Sequence, residues 1–333
     1  MPDVPISILD LAWHPPETSA EESLRDTVEM ARAAERSGYH RVWYAEHHNV
    51  ATVASSATSV VIGHVAANTS TIRVGSGGIL LPNHAPLVIA EQFGTLAALY
   101  PGRIDLGIGR AVGGNDATRA ALRRTEAAGE SFPRDIEELR GYLTGHSLVP
   151  GVQAVPRAAQ PPSIYLLGSS LFGAQLAARL GLPYAFAAHF APAPMHDALT
   201  TYREGFRPSD QLAEPYAIVS VNVFAADDTG AAQGQRTVGY RARARDLLAL
   251  DGRGPFTDAE IDALLTAPEG AALAGMNHYT AVGTAAEVRD YLRDFAATTR
   301  ADELMLLHSA LDAADRLRSV RLTGAEMVVR SSP

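Results

Sequence analysis

Residues 6–15 read ISILDLAWHP. An apolar strand-like run leaves into Asp10-Leu11-Ala12-Trp13-His14-Pro15 without a single glycine. A doubly wound nucleotide-binding sheet carries a glycine fingerprint after its first strand, where backbone and helix N-terminus approach a phosphate. That fingerprint is missing here, so the pattern downstream has to be read differently. Seven further apolar runs follow, at 40–45, 71–77, 103–109, 163–168, 183–188, 216–224 and 302–308. They alternate with stretches of helical period at 20–37, 55–68, 86–99, 134–143, 172–180, 195–202, 285–297 and 311–327. The runs are rich in Val, Ile and Leu with weak alternation, which fits strands buried on both faces. Eight strands alternating with helices predict an α/β fold, a (β/α)8 TIM barrel. Residues 1–333 are expected to form one barrel domain.

Two segments exceed a minimal barrel. Residues 230–280 lie between the seventh strand and its packed helix, and such an excursion on the strand-exit face predicts a lid over the site. An inert surface insertion is the alternative. Residues 145–162 are Pro-rich and read as a short irregular insertion.

Composition bounds the function. The chain has 333 residues, a net charge of -9 and no basic run, so nucleic acid and anionic membranes are not expected partners. No apolar stretch reaches the length of a membrane span, and a cytoplasmic protein is expected. There is no Cys, which excludes thiolate metal sites and thiol nucleophiles, and no Lys, which excludes Schiff-base chemistry and a P-loop.

In a barrel, chemistry collects at the carboxyl ends of the strands. Six of the eleven histidines, His14, His47, His48, His84, His189 and His308, fall at strand exits. The second exit, VWYAEHHN (42–49), concentrates Glu46, His47 and His48. A metal site is disfavoured, because adjacent imidazoles on an extended chain point apart and the eighth strand ends in His308-Ser309 without a carboxylate. The third exit, IRVGSGGILLPNHAP (72–86), places Ser76-Gly77-Gly78 where a flat ligand could approach bare backbone, or where a strand bulges. At the fourth exit Arg110 has the planar fork that grips a phosphate. At the fifth, Gly168-Ser169-Ser170 precedes a helix start, either an anion cradle or an ordinary N-cap.

Three segments together resemble the bacterial luciferase-like flavin monooxygenases. They are AERSGYHRVWYAEHHN (34–49), IRVGSGGILLPNHAPLVIAEQFGTLAALYPGRIDLGIGRA (72–111) and IYLLGSSLFGAQLAARLGLPYAFAAHF (164–190). The nearest flavour is the single-type oxygenases found near polyketide pathways. The resemblance implies a barrel enzyme that uses reduced FMN and O2 to oxygenate an aldehyde, ketone or aromatic substrate through a peroxide adduct on the ring. It implies that His47 is catalytic, oriented by Glu46 or His48, and that a cis peptide at Gly77–Gly78 lies against the ring. It further implies phosphate binding by Arg110, Ser169, Ser170 and Gly173, with His189 lining the ring. Gly109 stands where luciferases proper carry a reactive cysteine, which speaks against a thiol-dependent step. A separate flavin reductase is expected, as is a homodimer through helices 55–68 and 86–99, with Ala57, Gly63, Ala66, Gly94 and Ala97 as close-packing residues. Two alternatives stay open: hydride transfer from the deazaflavin coenzyme F420, and flavin binding without turnover.

Overall fold

The computed structural model describes residues 4–111, 114–250 and 252–328. The ends of the predicted domain, and Val112, Gly113 and Asp251 within it, lie outside the described residues. The strands are β1 (Ile6–Asp10), β2 (Arg41–Tyr44), β3 (Arg73–Leu80), β4 (Ile104–Gly109), β5 (Ser163–Gly168), β6 (Tyr184–Phe186), β7 (Ala217–Ala225), β8 (Thr280–Gly283) and β9 (Glu303–His308). The helices are α1 (Ala20–Arg36), α2 (Thr58–Ala67), α3 (Pro86–Leu99), α4 (Asp116–Ala121), α5 (Phe132–Thr144) and α6 (Leu171–Leu180). They continue as α7 (Met195–Gly205), α8 (Thr229–Leu250), α9 (Asp258–Thr266), α10 (Ala271–Gly275), α11 (Ala285–Thr299) and α12 (Ala313–Met327).

The strands pair in the order β6-β5-β4-β3-β2-β1-β9-β7-β8, and β6 also pairs with β7, which closes an eight-stranded barrel. Every pairing among the named strands is parallel, so all the strands leave the barrel at the same end. The (β/α)8 TIM barrel predicted from the alternation is the fold. One strand was not expected. β8 pairs with Asn222–Ala225 of β7, beyond the stretch Ala217–Val219 that β6 covers. It takes over the edge that the three-residue β6 leaves bare, and so meets the backbone hydrogen-bonding demand of the second half of β7. Its sequence, TAVG, is too short to stand out by pattern.

Helix ends follow local chemistry. Ser19 and Glu22 form a capping box at the start of α1. Gly181 closes α6 at φ +62°, a left-handed position where a side chain would be strained. The main core lies between the strands' outer faces and the helices, with Val42, Val74, Leu106 and Leu166 packed against Ile62, Ile89 and Phe93. A second cluster fills the barrel interior around Leu9, Trp43, Tyr165, Ile218 and Met305.

The excursion at 230–280 forms α8, α9 and α10. They build a small apolar cluster of their own around Ala244, Leu248 and Ile261. With 22 residues, α8 is roughly 33 Å long, comparable to the width of the barrel. It meets the exit loop of β2, where Thr52 donates to Asp246 Oδ2 at 2.8 Å. It meets the exit of β6, where Arg243 Nη2 donates to His189 O at 3.1 Å. A Cβ on Gly239 would sit 2.9 Å from Ser309 O, just past β9. The helix therefore lies across the mouth of the barrel.

Candidate active site

The exit of β2 is organised by Glu46, which is 3% exposed. Its carboxylate accepts from His48 Nε2 at 2.7 Å, His84 Nε2 at 2.9 Å and the Leu80 N–H at 3.0 Å. Burial alone would push this carboxyl up. The His84 and His48 contacts and the Leu80 N–H outweigh it and hold Glu46 below the usual carboxylate range. Since the carboxylate accepts only, each of these imidazoles donates from Nε2. The expectation that Glu46 or His48 orients His47 is corrected here. Glu46 ties the β2 exit to the β3 exit through His48 and His84, and the backbone contact of the His47 ring is with Ala45. Ala45 O also accepts the buried Ser55 hydroxyl.

His47 is open to solvent, yet protein surrounds it at longer range, as at the base of a concave mouth. That desolvation lowers its pKa; Ala45 and Glu46 raise it in part and His48 lowers it. Across the mouth, His189 follows β6. Its backbone N–H and Nδ1 both reach Ser220 Oγ, at 3.3 and 2.6 Å, which fixes the ring. Burial pushes its imidazole down to about 3, and the charges of Arg243 and His47 push the same way. The contribution of His47 places it near His189. Both are neutral near pH 7.

At the β4 and β5 exits, the Arg110 guanidinium lies 4.2 Å from the centre of the Phe172 ring. Phe172 is in the first turn of α6, directly after Ser169 and Ser170. Among the described residues no carboxylate pairs with Arg110. Ser170 is the N-cap but its side chain makes no cap hydrogen bond, so the first N–H groups of α6 keep free donors. Arg110, Ser169 and Ser170 therefore share one rim.

The glycines divide by what surrounds them. The Gly77–Gly78 peptide is cis. A Cβ on Gly77 would meet Leu9 Cδ1 at 2.6 Å and Trp43 Cβ at 2.9 Å, and one on Gly78 would meet Gly107 O at 2.8 Å. Protein, rather than open space, excludes side chains there. The β3–β4 register shifts between Ser76 and Ile79, so the bulge is real. Ser76 is fully buried and donates to Gly107 O at 2.8 Å, which removes its hydroxyl from the mouth. Gly168 and Gly173 approach each other, with a Cβ on Gly173 only 3.4 Å from Gly168 Cα, so close strand–helix packing accounts for both. By contrast, a Cβ on Gly109 finds nothing nearer than 3.8 Å.

One histidine leaves the predicted set. His308 is buried, with Tyr39 OH 3.2 Å from its Nε2 and Ser319 Oγ 2.7 Å from its Nδ1, so it packs between the barrel and α12. The His14 backbone N–H donates to Thr52 O, in the small bridge where Trp13 meets Val53, and its buried ring Nδ1 has no partner among the described residues. Sequence reasoning missed Ser220 and Arg243. Ser220 was legible as the inward-facing position of β7, two residues past buried Ile218. Among the described residues no cluster of His, Asp or Glu is arranged to hold a metal ion, and no helix is long and apolar enough to cross a membrane.

Known proteins resemble the chain over nearly its whole length. The family model for luciferase-like monooxygenases matches residues 4–302. A relative from Escherichia coli (strain K12), named luciferase-like monooxygenase, is 45% identical over 320 residues, covering 96% of each chain. The solved structure of apo-MsnO8 is 38% identical, covers 96% of this chain and 97% of that one, and superposes with a TM-score of 0.83. The oxygenating constituent of 3,6-diketocamphane monooxygenase from Pseudomonas putida, solved in complex with FMN, shares the fold at 18% identity and TM-score 0.69, covering 98% of each chain. With a buried-acid and histidine cluster at the mouth of a closed parallel barrel, and with these likenesses over nearly its whole length, the chain belongs to the luciferase-like monooxygenase family of oxidoreductases.

Proposed function

We propose that the protein is a flavin-dependent monooxygenase that takes reduced FMN and O2 and oxygenates a small aldehyde, ketone or aromatic substrate. The observation that carries this reading is the common placement of His47, His189 and the Arg110–Phe172–Ser170 rim at one end of the barrel. The residues present fit FMN. An arginine with no carboxylate partner among the described residues, two serine hydroxyls and the free N–H groups of α6 make a donor set suited to a phosphate dianion. When bound, the reduced flavin supplies two electrons and activates O2.

The chain's own groups do the rest. His47 is neutral near pH 7 and holds or accepts a proton at the mouth. Glu46 fixes the loop that carries it by clamping His48 and His84. The helices of 230–280 act as the lid that keeps water out, tied to the barrel by the Thr52–Asp246 and Arg243–His189 hydrogen bonds and the Phe224–Tyr240 ring contact, and cored by their own apolar cluster. A separate reductase supplies the reduced flavin.

A homodimer through α2 and α3 remains part of the proposal, with a changed surface. A Cβ on Gly63 would meet Leu96 at 3.3 Å and one on Gly94 would meet Pro156 O at 2.5 Å, so both pack within the chain. Ala66 and Ala97 are buried as well. The apolar groups these helices offer outward are Val60, Val88 and Leu99.

The test is His47→Ala, assayed with reduced FMN from an added reductase and a panel of aldehydes and ketones. FMN affinity stays unchanged, and product formed per O2 consumed falls by roughly 100-fold. Undiminished product formation removes His47 from the mechanism. Binding of reduced F420 in place of FMN points to hydride transfer instead, and flavin binding without substrate-dependent O2 uptake points to a non-catalytic role.

A further inference from the structure

Three arginines of α8 stand two residues apart, and they are treated differently. Arg241 pairs with Asp258 and Asp262, and Arg245 pairs with Asp258. Arg243, on the opposite face of the helix, has no carboxylate partner among the described residues. The nearest acid on its own face, Asp246, accepts the Thr52 hydroxyl instead. One Arg243 donor, Nη2, is taken by His189 O. Among the described residues its Nε and Nη1 have no hydrogen-bond partner, and neither is a buried unpaired atom, so both keep contact with solvent. Arg243 is thus a largely enclosed cation beside the neutral His189 imidazole, with N–H donors to spare on both edges of its guanidinium.

Enclosing a guanidinium without a counter-ion is unfavourable, and the fold gains little from it beyond one carbonyl contact. A backbone carbonyl needs no charge to be bonded. Nη2 carries a second N–H beside the one given to His189 O, so one edge of the guanidinium, Nη2 with Nε or Nη2 with Nη1, can hold a carboxylate by two parallel hydrogen bonds. The phosphate proposed for the β4–β5 rim has Arg110, which pairs with no carboxylate among the described residues.

We propose that Arg243 is a specificity-determining residue that binds a carboxylate on the organic substrate and so holds its reacting end beside His47 and His189. This rests on the flavin monooxygenase reading for the meaning of substrate, but its binding claim can be tested separately. The lid helix then does more than cover the site: substrate charge and lid position are linked through one side chain.

The test compares two matched pairs of probes, octanoate with octanamide and benzoate with benzamide. Each is titrated by calorimetry into cofactor-free protein and by flavin absorbance into FMN-loaded protein. The wild type binds each carboxylate at least about tenfold more tightly than its amide. Arg243→Gln abolishes that difference and leaves amide affinity and FMN affinity within about twofold, and Arg243→Lys recovers part of the preference. Equal affinity for acid and amide in the wild type overturns the proposal. So does a carboxylate preference that survives Arg243→Gln. A selective loss of FMN affinity in Arg243→Gln also overturns it, by assigning the guanidinium to the cofactor. If the wild type fails to bind FMN while the calorimetric preference for carboxylates persists, the flavin reading fails and the carboxylate site stands.

Discussion

The two ends of the barrel hold charge in opposite ways. At the amino end, Arg41 is 3% exposed and Asp105 and Glu303 are fully buried, yet nothing is left over. Arg41 bonds Glu303 through Nε at 2.9 Å and Nη2 at 3.0 Å, and reaches Asp105 and Tyr165 through Nη1 at 2.8 and 2.6 Å. Trp43 and Arg73 also donate to Asp105, and Ser7 and Tyr216 to Glu303. At the carboxyl end, Arg110 and Arg243 have no acidic partner among the described residues, and the backbone contact of the His47 ring is with Ala45. The floor is a closed polar network, and closed networks fix structure. The mouth has donors to spare, and spare donors in a concave site await a ligand. Charge by itself did not separate the two ends; satisfaction did.

The contrast can be broken from the floor first. Arg41→Met strands two buried carboxylates and should destabilise the fold by about 3–5 kcal/mol, read as a lower urea midpoint. Arg243→Gln, at the mouth, should leave that midpoint nearly unchanged. If the two variants lose equal stability, the division between a structural floor and a functional mouth is wrong.

Next in size is a pair of glycines at the edge of the site. Gly77→Ala forces a Cβ against Leu9 and Trp43 and should cost about 1–3 kcal/mol. Gly109→Ala meets only ordinary contact and should cost less than about 0.5 kcal/mol, while narrowing the mouth. Thermal unfolding of the two variants checks the difference.

The last effect is absent near neutral pH and grows only in acid. His308 is buried and its pKa is pushed down to about 3 by burial. Between about pH 6.5 and 3 the unfolded chain therefore binds a proton that the folded chain refuses. Stability from this group is present above the unfolded pKa and is lost as pH falls. The slope it adds approaches about 1.4 kcal/mol per pH unit. His308→Gln should flatten the acid limb of stability, measured as urea midpoints from pH 7 to 4. An unchanged limb would show that His308 titrates normally and lines the mouth after all.

Much of this was legible beforehand. Buried parallel strands leave unbroken Val, Ile and Leu runs, so the eight barrel strands announced themselves. The Glu46-His47-His48 triplet was visible because a strand exit is a short, local feature. The errors came from side-chain direction. Glu303, Met305 and Leu307 face the barrel interior, so His308 must face outward. Ser76 was grouped with its glycines by position, whereas its direction sends it into the sheet. Arg243 was out of reach for another reason. Its partner His189 lies 54 residues away, and only the return of α8 over the mouth brings them together. No local pattern encodes that path.

One detail of the topology reaches further. The chain departs for α8 only a few residues after Ala225 and comes back as β8 alongside Asn222–Ala225. Both feet of the excursion stand on the same four residues. A cassette anchored this way can be swapped between related barrels, or replaced by a short turn, without re-routing any other strand.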